Sequence, residues 1–307
     1  MPELAEWVRR RAYVAPMSTV SASPVVPSRL SDLILAPIRS ASVIGKIESR
    51  MALVPFLTNV AAQRTDSTAS WVGESQATPA AALAFDGIQL PAYKLAALTA
   101  YSQELFRQET PSSDATIRRS LVEGVAAQLD LSFLDPASGL IAGVRPASIT
   151  SGAPTVASSG SSAAQITADL KLMMAALTNW IYPVWIMRPG TAGNLAATTN
   201  ASGNLQFPNI SMLGGTLLGL PVIVSANAPA AIVLLDAGSV LYADENQIEL
   251  DLGEEVSLLM DDGPQNSPQT TSVVSFWQRG LLSLRCTRTL SFARAHDGVV
   301  ASMLVSY

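Results

Sequence analysis

The first hundred residues hold too little apolar material to build a core of their own. Pro2, Pro16, Pro24, Pro27 and Pro37 punctuate residues 1–50, where apolar side chains stand singly or in short runs such as Leu33-Ile34-Leu35. Proline fixes φ and removes an amide donor, so this spacing predicts an extended arm rather than a helix. Residues 54–98 read as a long two-stranded excursion. Leu53 to Val60 and Ile88 to Leu98 are strand-like, whereas Thr65 to Ser70 is polar and Gln76 to Ala84 is small. Such a hairpin gains burial only by packing on something else. An arm and a projecting hairpin in one chain therefore point to neighbouring copies. The other readings are a disordered terminus and an unstructured surface loop.

The rest of the 307 residues is ample for a core. Ser112 and Ser113 can cap a helix whose Ile117, Leu121, Val125, Leu129 and Phe133 repeat every four residues, and Asp135-Pro136 stops it. Arg118, Arg119, Glu123 and Gln128 mark its polar side. After the Ser/Gly/Ala-rich stretch 148–162, Ser162 and Gln165 form a capping box for a second helix with Ile166, Leu170, Met173 and Leu177 as its buried stripe. Strands are expected at 180–187, 217–225, 231–235, 247–252, 256–260, 273–290 and 299–305. Helices and strands mix without regular βαβ spacing, which predicts an α+β fold.

Charge narrows the function. Charged residues make up 14% of the chain, against a usual ~25%, so less surface faces bulk water than in an ordinary monomer. From Pro189 to Gln278 there are nine acidic residues and no Lys or Arg, a stretch that repels phosphate and argues against sequence-wide nucleic-acid binding. No run approaches the ~18 apolar residues of a membrane span. Arg9, Arg10 and Arg11 are followed by a stretch broken at Pro16 and Pro24, so no signal peptide is expected. Cys286 is the single cysteine and has no partner for a disulfide.

Enzyme readings fail in turn. His296 is the one histidine, with no G-x-S-x-G elbow to supply a nucleophile, and reads as a packing or surface residue. Gly214-Gly215 lacks the Gly-Lys-Ser/Thr of a phosphate loop. Asp244-Glu245 and Glu254-Glu255 lack calcium-loop spacing. No catalytic, cofactor or metal site is expected.

Several motifs occur in a telling order. Trp71-Val72-Gly73-Glu74, Phe85, Lys94-Leu95-Ala96 and Ser102-Gln103-Glu104-Leu105 precede the long helix 113–134. Trp185-Ile186-Met187-Arg188-Pro189, Gly203-Asn204-Leu205-Gln206-Phe207 and Leu217-Leu218-Gly219-Leu220-Pro221-Val222 follow. From about residue 50 onward this resembles the major capsid proteins of tailed bacteriophages with the Hong Kong 97-type fold. The resemblance implies an N-terminal arm (1–53), an E-loop hairpin (54–98), a peripheral domain with a spine helix (99–140 and 241–292) and an axial domain (141–240 and 293–307). It places the loop Gly190–Phe207 near the five- and six-fold axes and the turn Asp261–Thr270 near three-fold contacts.

The implied function is a virion shell subunit, assembled in the host bacterial cytoplasm into pentamers and hexamers. Implied partners are the chain itself, portal and scaffolding proteins, a decoration protein and double-stranded DNA held without sequence specificity; no membrane is implied. Trp71, Glu74, Phe85, Arg118, Arg119 and Arg279 are candidate assembly contacts, and Arg9, Arg10 and Arg11 the candidate inward-facing basic group. An encapsulin-like compartment, enclosing an enzyme cargo, is the alternative. Many relatives carry a scaffolding extension ahead of the arm. The chain has no room for one, so it reads as a mature chain or as one with separate scaffolding, and Met1 favours the latter. The family's founding member joins an E-loop lysine to a neighbour's asparagine beside a buried glutamate. Here Phe85-Asp86-Gly87 carries no lysine and Thr287 stands where that glutamate is expected.

Overall fold

A computed structural model describes residues 28–63, 71–76, 85–104, 111–178, 180–253, 257–261 and 271–305. The chain divides into two compact units: Met1–Ala41, Leu95–Ala126 and Asn246–Thr289 form the first, Ser42–Lys94, Ala127–Glu245 and Leu290–Tyr307 the second. Helices α1 to α6 span Ser28–Ala41, Val43–Ile47, Pro111–Leu134, Ala163–Ala176, Pro189–Ala197 and Phe276–Arg279.

In the first unit, the extended arm predicted for residues 1–50 is corrected over its second part. Ser28–Ala41 is a helix with Pro37 inside it. An interior proline costs ~3 kcal/mol, and packing offsets it here. Leu35 and Ile38, three residues apart, are buried with Leu121, Val122 and Val125 of α3 and with Ile248, Leu250, Leu282, Leu284 and Cys286. The latter residues belong to the long strands β11 (Val240–Gly253) and β14 (Leu281–Arg294) of a four-stranded sheet ordered β1-β11-β14-β4, where β1 is Ala52–Leu53 and β4 Tyr93–Ser102. Arg39 holds Asn246 Oδ1 at 2.6 Å. The strand expected over 273–290 is two elements. β12 (Ser257–Asp261) pairs antiparallel with β13 (Thr271–Ser275), α6 follows, and Gly280 in the left-handed region (φ 59°) admits β14.

The second unit contains a seven-stranded sheet ordered β5-β15-β10-β6-β9-β8-β7, with β5 Thr155–Ala157, β6 Pro183–Met187, β7 Ile210–Ser211, β8 Gly214–Leu217, β9 Leu220–Val224, β10 Ala231–Asp236 and β15 Val300–Leu304. The β6–β9 and β5–β15 pairs are parallel, the others antiparallel. Helix α4 covers the sheet with its expected stripe, Ile166, Leu170, Met173 and Leu177, against Trp185, Leu217, Ile232 and Met303. Its N-terminus carries the expected capping box, Ser162 Oγ accepting from the Gln165 amide at 3.4 Å and Gln165 Oε1 from the Ser162 amide at 3.3 Å. Trp185 is fully buried, so its indole N–H needs an acceptor and donates to the Leu217 carbonyl at 3.1 Å.

Two expectations in this unit are corrected. The single strand 217–225 is a hairpin, β8 and β9 turning through Leu218 (φ 51°) and Gly219 (φ 81°). Two positive φ values match the right-handed twist of the strands, which is why the pair reverses there. The loop Gly190–Phe207 begins as helix α5, with Pro189 at its first position and Thr191, Ala192 and Leu195 buried. Gly190 and Gly193 hide this helix from propensity. A Cβ at Gly193 would stand 3.0 Å from Cγ of Met212, an exposed and flexible side chain. The turn Asp261–Thr270 lies outside the described residues beyond Asp261.

Helix α3, 24 residues or ~36 Å long, starts two residues earlier than expected, with Pro111 at the position that needs no amide. Its last carbonyls would be orphans. Ser148 Oγ donates to Phe133 O at 2.8 Å, Thr150 Oγ1 to Leu134 O at 2.7 Å and the Ile149 amide to Phe133 O at 3.1 Å. The Phe133 ring meets Phe292 edge-on at 5.0 Å.

Also on α3, Asp130 is completely buried and grips two distant pieces of chain. Its Oδ1 accepts the Val43 amide at the start of α2 at 2.7 Å, and its Oδ2 accepts the Ser225 hydroxyl just after β9 at 2.8 Å. Lys46 of α2 donates to the Val224 carbonyl at 3.1 Å. Burial pushes the Asp130 carboxyl up to about 6, and the Ser225 hydroxyl, the Val43 amide and the Lys46 ammonium pull it partly back. A carboxyl raised in the folded state binds its proton more tightly there than in the unfolded chain. Its contribution is therefore full below about pH 4 and lost as pH rises through about 6. Asp130→Asn keeps an acceptor for Val43 and a polar group for Ser225 while removing the titration. Urea midpoints between pH 4 and 6.5 should show wild type losing on the order of 2–3 kcal/mol relative to this variant. A pH-independent difference contradicts the assignment.

Candidate assembly surfaces

The excursion predicted from the sequence is rooted as a two-stranded ribbon. β2 (Asn59–Gln63) pairs antiparallel with β3 (Phe85–Gln89), from Asn59 opposite Gln89 to Gln63 opposite Phe85. At its base, Val60 and Ile88 pack against Leu90, Leu241 and Ala243. Leu57, at φ 59°, donates its amide to Leu90 O at 2.9 Å and turns the chain into β2. Farther along, residues 71–76 form a turn closed by the Gln76 amide on Gly73 O at 3.2 Å, with Ser75 at φ 65°. Trp71 is fully exposed (105%), and Glu74 beside it is exposed too. Phe85 occupies the first position of β3; its side chain lies outside the described residues.

Three further apolar sites face solvent. Trp180, Ile181 and Tyr182 form a knuckle ahead of β6, where the sequence suggested a strand. Buried Asp236 makes it: Oδ1 accepts the Ile181 and Tyr182 amides at 3.0 and 2.6 Å, and Oδ2 the Ser239 hydroxyl at 2.5 Å. With the backbone turned inward, the side chains point out, and Arg50 lies 5.8 Å from the Tyr182 ring centroid. At the β7–β8 turn, Met212 and Leu213 are exposed, the latter to 97%. Gly215 (φ 136°) fixes that turn, since a Cβ there would sit 2.2 Å from Asn209 O. In the first unit, Trp277 of α6 is 75% exposed, two residues before exposed Arg279. The sequence reading missed Trp180–Tyr182 and Leu213. Three consecutive apolar residues ahead of a strand read as strand, and only the Asp236 contacts, remote in sequence, reveal the turn.

The other predicted residues divide. Arg119 pairs with Glu123 at 2.6 Å on its own helix, both ends exposed, a pair worth little to stability. Arg118 lies on α3 with its side chain outside the described residues, as do Arg9, Arg10 and Arg11 entirely. Cys286 is buried, and burial pushes its thiol up to about 11. His296 sits at the surface, its Nδ1 2.6 Å from the Asp297 carbonyl. Among the described residues no three His, Cys, Asp or Glu gather to hold a metal, and no helix is long and apolar enough to cross a membrane. An open cleft of about 950 Å3 does lie in the second unit, between the ribbon base at Val60 and Ile88, Leu140, and the segment from Phe292 to His296.

Comparisons give these surfaces a context. The model of the phage capsid family matches residues 22–287. A capsid polyprotein of Pseudomonas phage PAJU2 is 36% identical over 278 residues, covering 86% of this chain and 42% of the relative, so the chain spans less than half of that relative's length. Among solved structures, a chain of Mycobacterium phage Bobi superposes with TM-score 0.66 at 13% identity, covering 97% of this chain and 98% of its own. One of Gordonia phage Cozz gives 0.64 at 16%, covering 96% and 98%. The chain therefore belongs to the phage capsid family, and its fold is the Hong Kong 97-like capsid fold.

Proposed function

We propose that this chain builds the icosahedral shell of a double-stranded DNA phage by associating with itself as pentamers and hexamers. The observation that carries the reading is Trp71, a fully exposed indole on a ribbon excursion, in a chain that belongs to a capsid family. An indole in water forfeits ~150–250 Å2 of burial, or ~4–6 kcal/mol at 25 cal/mol per Å2, and a partner copy recovers it. The residues map as arm 1–53, E-loop 54–98, peripheral domain 99–140 with 241–292, and axial domain 141–240 with 293–307. The ribbon β2–β3 and the 24-residue helix α3 support the E-loop and spine assignments.

Portal and scaffolding proteins are the expected partners, with a decoration protein on the outer face. Packaged DNA meets the shell without base recognition, and Arg9, Arg10 and Arg11 are the inward-facing cations. The place of the protein is the virion, after assembly in the host cytoplasm.

Two outcomes test this. Electron microscopy of the expressed protein should show closed shells, and boiled shells should run near 32 kDa on a denaturing gel. The stretch Phe85-Asp86-Gly87 carries no lysine and the nearest, Lys94, lies toward the base of the hairpin, so a covalent ladder contradicts that part of the reading. Trp71→Ala removes no buried contact within the subunit, so its urea midpoint should stay within ~0.5 kcal/mol of wild type. The concentration needed for assembly should rise at least ~10-fold, the signature of a lost anchor. Normal assembly of this variant sinks the anchor role.

A further inference from the structure

We propose that Asp297-Gly298, in the turn between β14 and β15, is a site of spontaneous isoaspartate formation assisted by His296. The inference stands apart from the self-assembly reading and uses residues which that reading leaves without a role.

The chain contains three Asp-Gly pairs: Asp86-Gly87, Asp262-Gly263 and Asp297-Gly298. A glycine after an aspartate has no Cβ to screen its amide nitrogen from the neighbouring carboxyl. The three settings differ. Asp86 and Gly87 are held in the β2–β3 ladder opposite Ala62 and Ala61, and Asp262-Gly263 lies outside the described residues. Asp297 is exposed at the rim of the open cleft, where water reaches it. Gly298 is at φ 80°, and a Cβ there would sit 2.6 Å from Thr178 Oγ1, so this turn requires glycine. The fold therefore keeps the susceptible pair.

His296 completes the site. Its Nδ1 is 2.6 Å from the Asp297 carbonyl oxygen, and a carbonyl only accepts, so Nδ1 carries the proton. In the first step the Gly298 nitrogen gives up its proton and bonds to Cγ of Asp297 in its acid form. The hydroxyl leaves with that proton as water, and a five-membered succinimide ring remains. A donor on the Asp297 carbonyl favours this step, because the electron pair of the deprotonated amide spreads onto that oxygen. In the second step water adds to a ring carbonyl and the C–N bond there breaks. Opening at Cγ restores aspartate. Opening at the main-chain carbonyl leaves the chain running through Cβ and Cγ, which is isoaspartate. His296 polarises the main-chain carbonyl, so it directs the opening toward the rearranged product. The chain then carries an extra main-chain methylene between two bonds that hold the turn, Ala295 amide to Ser239 O at 3.0 Å and Asp236 amide to Val299 O at 2.9 Å.

Ageing the purified protein at physiological temperature and pH, followed by trypsin, tests this. The three pairs fall on separate tryptic peptides, and Asp297 is the one Asp or Asn in Ala295–Tyr307. Isoaspartate is read by electron-transfer fragmentation and by labelling with an isoaspartyl methyltransferase. It should accumulate at Asp297 at least tenfold faster than at Asp86. His296→Ala should slow it about fivefold, the worth of one ordinary hydrogen bond, and that difference should vanish in urea. Absence of isoaspartate from Ala295–Tyr307, or equal rates at Asp297 and Asp86, overturns the site. An unchanged rate in His296→Ala, or the same slowing in urea as in the folded chain, overturns the part given to the histidine.

Discussion

The buried carboxylate of Asp130 is the constraint on which the second unit turns. It joins three pieces of chain far apart in sequence: the start of α2, the second half of α3 and the residue after β9. An ionised group taken from water is costly, and the two hydrogen bonds to its oxygens offset only part of that cost, which leaves the carboxyl raised to about 6. The segment it captures is short. Val43, Ile44 and Ile47 are buried, but five residues of helix cannot nucleate alone. Ser42 caps that turn by accepting the Gly45 amide at 3.1 Å. The carboxylate thus fixes the direction in which the chain enters the unit before β1 begins.

The same device recurs. Asp169 accepts the amide and hydroxyl of Ser159 at 2.8 and 2.7 Å, pinning the segment ahead of α4. Asp236 accepts two consecutive amides and the Ser239 hydroxyl, and so presents Trp180, Ile181 and Tyr182 outward. All three aspartates are buried, and each takes at least one backbone N–H and one serine hydroxyl. With 14% charged residues, the chain places part of its scarce acid inside, where carboxylates hold turns that no hydrophobic contact could define.

How much of this the sequence shows depends on how local the signal is. The stripe of α4 with its capping box, and the four-residue repeat of α3, are legible because a helix face is written within one segment. The prolines of the arm mislead, because what makes Ser28–Ala41 a helix is Leu35 and Ile38 meeting β11 and β14 residues more than 200 positions away. Helix α5 is hidden by Gly190 and Gly193, which lower its propensity, and the β8–β9 turn by Leu218, a residue that propensity would not place at positive φ. Of the candidate contacts, Trp71 was legible because a large aromatic in a small polar stretch has no local partner. The Trp180–Tyr182 knuckle was not, because its cause is a carboxylate 54 positions on.

The exposed apolar groups share one property that bears on assembly. Trp71 sits on a hydrogen-bonded turn, Leu213 on a turn fixed by Gly215, and Trp180 to Tyr182 on a backbone held by Asp236. Ordering a flexible loop at an interface costs ~0.5–1.5 kcal/mol per immobilised side chain, and a site held in place beforehand avoids much of that cost. On the self-assembly proposed above, Trp71, Leu213 and Trp180 to Tyr182 would meet a neighbouring copy on backbone whose turns are already closed within the subunit, so that less of the burial they gain is offset by ordering them.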